Sequence, residues 1–445
     1  MSIDLRAARD TNPMSRLQWA AVTVCMLLNL LDGFDVLVMA FTGKFVAAEW
    51  QLSATELGLL LSAAPVGMAV GSMFVAPWAD RIGRRRIILA CLVVSSVAMI
   101  LSSLAPSAGV LGALRVVSGL GIGAIIAGGS VASAEFANRR WRGLAVSLNA
   151  TGYALGATLG GLIAVLLIGG SGWRSVFLFG GIATALAIPL VVGWLPESLD
   201  FLLTRRPPGA LERVNRLAAR CGLGKLDALP EQTEAPRGIG AGYRELLKPK
   251  LRRTTLLMWL VFFLVMAGFY FVTSWTPTLL LTAGLSSAQG LTASTLLNLG
   301  GVFGAALLGV LTARFALRKV LIGYLIGTGL LLGVFIASTQ QLSLAFVVGI
   351  GVGLFVNGCV AGLFAFTATV YEPAVRATGF GTALAISRAG AILAPFAAGA
   401  LLDTGMSPQG LYLGAGGVFL VTAAVLSLVR TRTATYVPAA SAAVR

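Results

Sequence analysis

The sequence predicts an all-α integral membrane protein: twelve transmembrane helices arranged as two pseudo-symmetric six-helix halves. Three observations carry that expectation. The chain of 445 residues is 57% apolar and only 11% charged, against about 25% charged in a soluble domain, so it lacks the polar side chains to cover a water-facing surface. Twelve runs of 18 or more mostly apolar residues can be read along it, each near the ~20 residues that cross a bilayer. The longest polar stretch, Leu195 to Arg253, separates them six and six.

In chain order the spans are expected at approximately 17–42, 55–78, 87–104, 109–136, 144–168, 174–194, 256–281, 291–312, 320–338, 342–370, 379–402 and 411–430. The first is too long for a cleaved signal peptide, holds Asp32 and Asp35, and precedes eleven more spans, so it is expected to stay in the mature protein. The fourth holds Arg115 and the string GLGIG at Gly119, Gly121 and Gly123. That string is no phosphate loop, because it follows no strand, lacks the P-loop lysine and lies at membrane depth. With Gly128, Gly129, Gly152, Gly156, Gly160 and Gly161 it gives small faces on which the fourth and fifth spans are expected to cross closely.

The first bundle therefore covers residues 1–194 and a cytoplasmic linker covers 195–253. Within the linker, apolar residues at helical spacing in PPGALERVNRLAARCGLG predict a short surface helix, and EQTEAPRGIGAG predicts a flexible segment. The second bundle covers 254–430, and residues 431–445 form a cytoplasmic tail.

Charge placement orients the bundle. Of the 33 Lys and Arg, all but four fall on one side of the predicted membrane; Lys44 and Arg174 lie on the other, and Arg115 and Arg388 lie inside spans. Short cytoplasmic loops retain basic residues, so both termini are expected in the cytoplasm of a cell whose inner (plasma) membrane holds the protein. The net charge of +16 is then topogenic and attracts anionic lipid headgroups of the bilayer. Nucleic-acid binding is not expected, since the charge is spread over membrane loops rather than gathered on one fold.

There is no histidine in the chain. A proton carried near neutral pH must therefore sit on a carboxyl group or water, and the commonest nitrogen metal ligand and usual catalytic base are both missing. Cys25, Cys91, Cys221 and Cys359 have neither metal nor disulfide spacing and read as packing residues. No constellation of nucleophile, base or metal ligands suggests an enzyme, no cofactor beyond a proton gradient is expected, and the protein is expected to be a monomer.

The two halves echo each other. DRIGRRR at 80–86 is mirrored by ARFALRK at 313–319, and Glu135 with Arg142 and Gly143 by Glu372 with Arg376 and Gly379. This is the internal repeat to look for in transporters. The second copy has decayed, with Ala313 in place of Asp80 and Ala316 in place of Gly83.

Twelve spans in two halves, with DRxGRR in the second cytoplasm-facing turn, resemble the major facilitator superfamily over essentially the whole chain. LLDGFDVLVMA in the first span, LRVVSGLGIGA opening the fourth and PESLDFLL after the sixth are similar to the branch of sugar and organic-ion porters. DGFD, with ISRAGAILAP in the eleventh span, resembles the aromatic acid/proton symporter family. The resemblance implies import of benzoate-like carboxylates with protons.

The ionisable residues inside spans are the first functional candidates, because a charge at bilayer centre costs at least ~2.5 kcal/mol. Asp32 and Asp35 lie on adjoining faces of one turn. Counting from the outer ends of their helices, Asp35 and Arg115 both lie ~10 Å deep and can meet. They form either a structural pair or, as the resemblance to the porters implies, the coupling switch that protonation releases. Asp32, one turn nearer the midplane, either shares a proton with Asp35 or shapes the substrate cavity.

Arg388 is ~14 Å into the eleventh span, too deep for easy snorkelling. A planar guanidinium can grip a carboxylate in two places, and the resemblance implies a substrate-binding role; pairing with backbone carbonyls or with Asp32 is the alternative. Phe34, Tyr153, Tyr270 and Trp275 are candidates for the ring walls, with Phe364 and Phe366, and Asn149, Asn298 and Asn357 for ring hydroxyls. Asp80, Arg81, Arg84, Arg85, Glu135, Arg142, Glu372 and Arg376 lie at cytoplasmic helix ends, where they either latch the halves in the outward-open state or serve as topogenic charge.

The sequence thus points to proton-coupled import of a small aromatic carboxylate such as benzoate, hydroxybenzoate or gentisate by alternating access. The alternatives are a proton-coupled porter or exporter of another organic anion, a drug or a sugar-like solute.

Overall fold

The computed structural model describes residues 5–229, 245–282, 284–338 and 341–429. The segment expected to be flexible, EQTEAPRGIGAG, and the tail at 431–445 lie outside the described residues. Among the described residues, twelve helices are long and apolar enough to cross a membrane: Arg16–Trp50, Ala54–Trp78, Arg84–Ser103, Ala108–Phe136, Arg142–Ser171, Trp173–Trp194, Leu251–Thr282, Ser287–Thr312, Leu317–Ala337, Leu342–Val370, Thr378–Asp403 and Pro408–Leu428. They are numbered below as spans one to twelve.

Their ends follow the local chemistry. Span one begins at a capping box in which Ser15 and Gln18 satisfy each other's backbone amides, and spans two and eight open the same way through Ser53 with Glu56 and Ser286 with Gln289. Span one runs eight residues past the expected end, to Trp50, so Lys44, which the sequence placed in a loop, lies within the helix. Its 35 residues are about 52 Å long, more than the ~30 Å hydrocarbon layer, and the surplus turns project into the interface. There Glu49 accepts from Arg174 and from the indole of Trp173, each at 2.7 Å, tying the ends of spans one and six. Spans five and six are separated only at Gly172, whose φ of +73° is open to glycine and costly to other residues.

The expected linker helix is Ala210–Arg220, and among the described residues a second short helix, Leu199–Arg205, precedes it. Their apolar sides pack with Leu5 and Leu17 into a small core of their own at the start of span one.

The repeat seen in the sequence is also a repeat of packing. Span two crosses span four so closely that a Cβ at Gly67 or Gly119 would overlap the carbonyl oxygen of Val116 or Ala64; span eight crosses span ten likewise at Gly300 and Gly353, against Ile350 and Leu297. The small faces expected on spans four and five do make close crossings, each with another span. Gly119 and Gly123 abut span two, Gly121 abuts span three, and Gly152 and Gly156 abut span one, so these residues serve three crossings.

The halves join through spans two and eleven, five and eight, and one and seven. Polar contacts between them lie on the face opposite the basic one. The Asp403 carboxylate, ending span eleven, accepts from the amides of Ala54 and Thr55 at 3.0 and 2.8 Å and from the Thr55 hydroxyl at 2.5 Å, capping span two. About two turns deeper, the Ser62 hydroxyl donates to the Ile392 carbonyl at 2.7 Å.

Candidate functional site

A fully buried polar contact joins spans one and four. Arg115 is completely buried, and its Nη1 forms an ion pair with Asp35 Oδ1 while its Nη2 donates to the Asp35 carbonyl at 2.7 Å. Nη1 also reaches Ser118 Oγ at 3.0 Å, and the guanidinium lies 5.9 Å from the centre of the Phe177 ring. The equal depths counted from the sequence do bring these two side chains together.

One turn away, Asp32 is 4% exposed, and its Oδ2 has no hydrogen-bond partner among the described residues. Span five is close enough here that a Cβ at Gly33 would collide with the Tyr153 backbone, which sets Tyr153 beside Asp32. Tyr153 lies within electrostatic reach of Asp32, of Tyr270 on span seven and of Arg388 on span eleven. Three of the predicted residues, contributed by both halves, therefore lie around a fourth, Tyr153. Asp32 and Tyr270 are buried, and Tyr153 and Arg388 are half-buried.

Other candidates lie elsewhere. Phe34 packs inside the first half, its ring 5.8 Å from Phe179 and against the positions of Gly160 and Gly180. Trp275 is 1% exposed, with its indole N–H donating to the Pro395 carbonyl at 2.9 Å, so it braces spans seven and eleven. Asn298 and Asn357 donate to their own helices, to Ser294 and Gly353 at 3.0 and 3.1 Å, and Asn357 sits at the eight–ten crossing beside Gly301. Phe366 is fully buried in the second half, and Phe364 stacks on Phe262 at 6.2 Å.

Asn149, offered by the sequence for ring hydroxyls, instead belongs to a polar ladder on the basic side of Asp32, whose other members, Asn29 and Ser130, were missed in the sequence. Asn29, one turn before Asp32, donates to the Asn149 carbonyl at 2.6 Å, and Asn149 donates to Ser130 Oγ at 3.1 Å. The i, i+3 spacing of Asn29 and Asp32 was the available signal, since it sets both on one side of the helix.

At the basic face, Arg84 pairs with Glu135 at 2.8 Å and Arg142 with Asp10 at 2.8 Å. Arg9 bridges Asp200 at 2.9 Å and the Glu135 carbonyl at 3.0 Å. Glu197 accepts from the amides of Arg84 and Arg85, at 2.8 and 3.3 Å, at the start of span three. A side chain at Gly83, where φ is +114°, would run into Glu197, so the glycine of DRIGRRR is required; Ala316, its counterpart, has an ordinary φ of −60°. These pairs knit the first half to its flanking helices. Glu372 and Arg376 are exposed at the start of the last helix but one, in the second half, and the side chain of Asp80 lies outside the described residues. All four cysteines are free and buried, in keeping with packing roles.

A family profile described as Major Facilitator Superfamily matches residues 24–311. The chain belongs to the Major Facilitator Superfamily. As a member of that superfamily it is a multi-pass membrane transporter and not an enzyme. It is 33% identical over 384 residues to a gallate transporter of Pseudomonas putida, covering 85% of this chain and 84% of that one. It is 29% identical over 383 residues to a 4-hydroxybenzoate transporter of Acinetobacter baylyi, covering 85% and 83%. The fold of this superfamily member is shared with the xylose transporter of E. coli in a partially occluded inward open conformation, with a TM-score of 0.72, 16% identity, and coverage of 94% of this chain and 99% of that chain.

Proposed function

We propose that this transporter imports a small aromatic carboxylate together with at least one proton across the inner membrane, with its basic face and both termini in the cytoplasm. The observation that supports the reading is the placement of Tyr153 against the Asp32 turn of span one and within electrostatic reach of Asp32, Tyr270 and Arg388. A guanidinium can hold a carboxylate in two places. Two tyrosines supply ring surface and hydroxyls for a hydroxylated aromatic acid. Asp32, buried with a free oxygen, is the group that takes the proton, and the ladder through Asn29, Asn149 and Ser130 offers its way toward the cytoplasm. The names of the gallate and 4-hydroxybenzoate relatives support the substrate class.

Energetics support symport. Moving a monoanion into an interior-negative cell costs ~2.3 kcal/mol per 100 mV. One accompanying proton cancels that charge, and each pH unit adds ~1.36 kcal/mol of drive. With the halves joined at the outer face by Asp403 and Ser62, the conformation described reads as inward-facing. In the outward-facing state Asp80, Arg81, Arg84, Arg85, Glu135 and Arg142 would close on Glu372 and Arg376, and the Asp35–Arg115 pair would couple protonation to that movement.

Proteoliposomes given labelled 4-hydroxybenzoate, gallate or gentisate test the proposal. Uptake is expected to rise with an inward proton gradient and to collapse with a protonophore; uptake indifferent to the gradient would remove proton coupling, and none with any aromatic acid would remove the substrate class.

A further inference from the structure

A cavity of about 770 Å³ opens where spans three and six meet the linker helices. Seven arginines line it, among them Arg81, Arg85 and Arg86 from the DRIGRRR turn and Arg213, Arg216 and Arg220 from one side of the helix Ala210–Arg220. One carboxylate, Glu197, also lines it, but Glu197 Oε1 is already engaged by the amides of Arg84 and Arg85. Arg216 pairs at 2.7 Å with Glu212, while Arg85 donates to the Val192 carbonyl at 2.5 Å and has no carboxylate partner among the described residues. Burial of the linker-helix core against the first half holds these like charges together, and an anion in the cavity would lower their mutual repulsion.

The remaining wall is apolar and continues into the lipid-facing surface. Ile82 and Val192 line the cavity and are 38% and 52% exposed. Above them Val93 and Val97 of span three and Leu186 and Leu190 of span six are exposed along adjacent helices. A soluble anion has no use for that seam, whereas a phospholipid needs both a cationic cradle at headgroup depth and an apolar track for its chains. We propose that this cavity is a binding site for the phosphate headgroup of an anionic phospholipid, with the acyl chains lying along spans three and six. The bound lipid bridges the motif turn and the linker helix, and so braces the basic end of the first half.

The purified full chain, delipidated in neutral detergent, tests this by native mass spectrometry and thermal melting with phosphatidylglycerol, phosphatidylcholine or inorganic pyrophosphate. The triple variant Arg213→Gln/Arg216→Gln/Arg220→Gln removes one exposed wall of the cradle. Arg252→Gln/Arg253→Gln/Arg314→Gln removes equal charge elsewhere. Phosphatidylglycerol is expected to stay bound to, and to stabilise, the parent and the control, with at least tenfold weaker binding to the cavity variant. Equal binding to the two variants would overturn the site. Stabilisation by phosphatidylcholine or by pyrophosphate matching that by phosphatidylglycerol would overturn the anionic-lipid assignment.

Discussion

Replacing Asp35 by Asn removes the countercharge of a guanidinium that has no exposed surface. The amide would still accept a hydrogen bond, and Arg115 would keep the Asp35 carbonyl and Ser118 Oγ as neutral acceptors. What is lost is the charge pairing. Breaking a buried ion pair from one side costs about 3–5 kcal/mol, and the retained acceptors recover about 1 kcal/mol of that, leaving about 2–4 kcal/mol. For a half of this size that is a fall in melting temperature of about 5–15 °C. Arg115→Met strands the Asp35 carboxylate instead and is expected to cost a similar amount. In the double variant no charge is left behind, so its stability should be no worse than that of the weaker single variant. Melting of all four proteins in nanodiscs measures the cycle, with an expected coupling of about 2–4 kcal/mol. Additive losses, or an Asp35→Asn protein as stable as the parent, would refute the reasoning that the pair is electrostatically interdependent.

Arg388→Ala should raise the KM for an aromatic acid about tenfold to a hundredfold, the loss of a charge-assisted hydrogen-bonding pair worth about 1.5–3 kcal/mol, with Arg388→Lys recovering part of it; unchanged uptake by both would remove Arg388 from the site. Asp32→Asn should abolish accumulation driven by a proton gradient while leaving substrate counterflow measurable in the same vesicles, and gradient-driven accumulation by the variant would move the proton elsewhere. Gly353→Ala places a methyl against the Leu297 carbonyl at the eight–ten crossing and should destabilise the second half by about 1–3 kcal/mol, visible as a lower melting temperature. Asp403→Ala removes the cap on span two and should shift spin labels at positions 52 and 406 toward longer separations; an unaltered distance distribution would show that the cap does not hold the halves together.

Much of the site's skeleton was legible along the chain. Asp35 and Arg115 could be matched because depth in a membrane helix is a count of residues at 1.5 Å each from a polar end. Arg388 and Asp32 could be singled out because charge inside an apolar run is costly. Phe34 and Trp275 were not separable from Tyr153 and Tyr270 by the same logic. In a span that is apolar all round, no pattern marks which side faces the cavity, and packing sends Phe34 to Phe179 and Trp275 to Pro395.

The sequence by itself determined the twelve spans, their division into two related halves and the basic face, because each rests on hydropathy and charge within a short window. Tertiary structure alone decided what touches what across distant segments. It paired the glycines of span four with spans two and three, set the Asp403 carboxylate on the first turn of span two, and gathered DRIGRRR and linker arginines around one cavity. Those outcomes depend on the rotation of each helix about its axis, which is set by close packing against neighbours remote in the chain and leaves little trace in uniformly apolar helices.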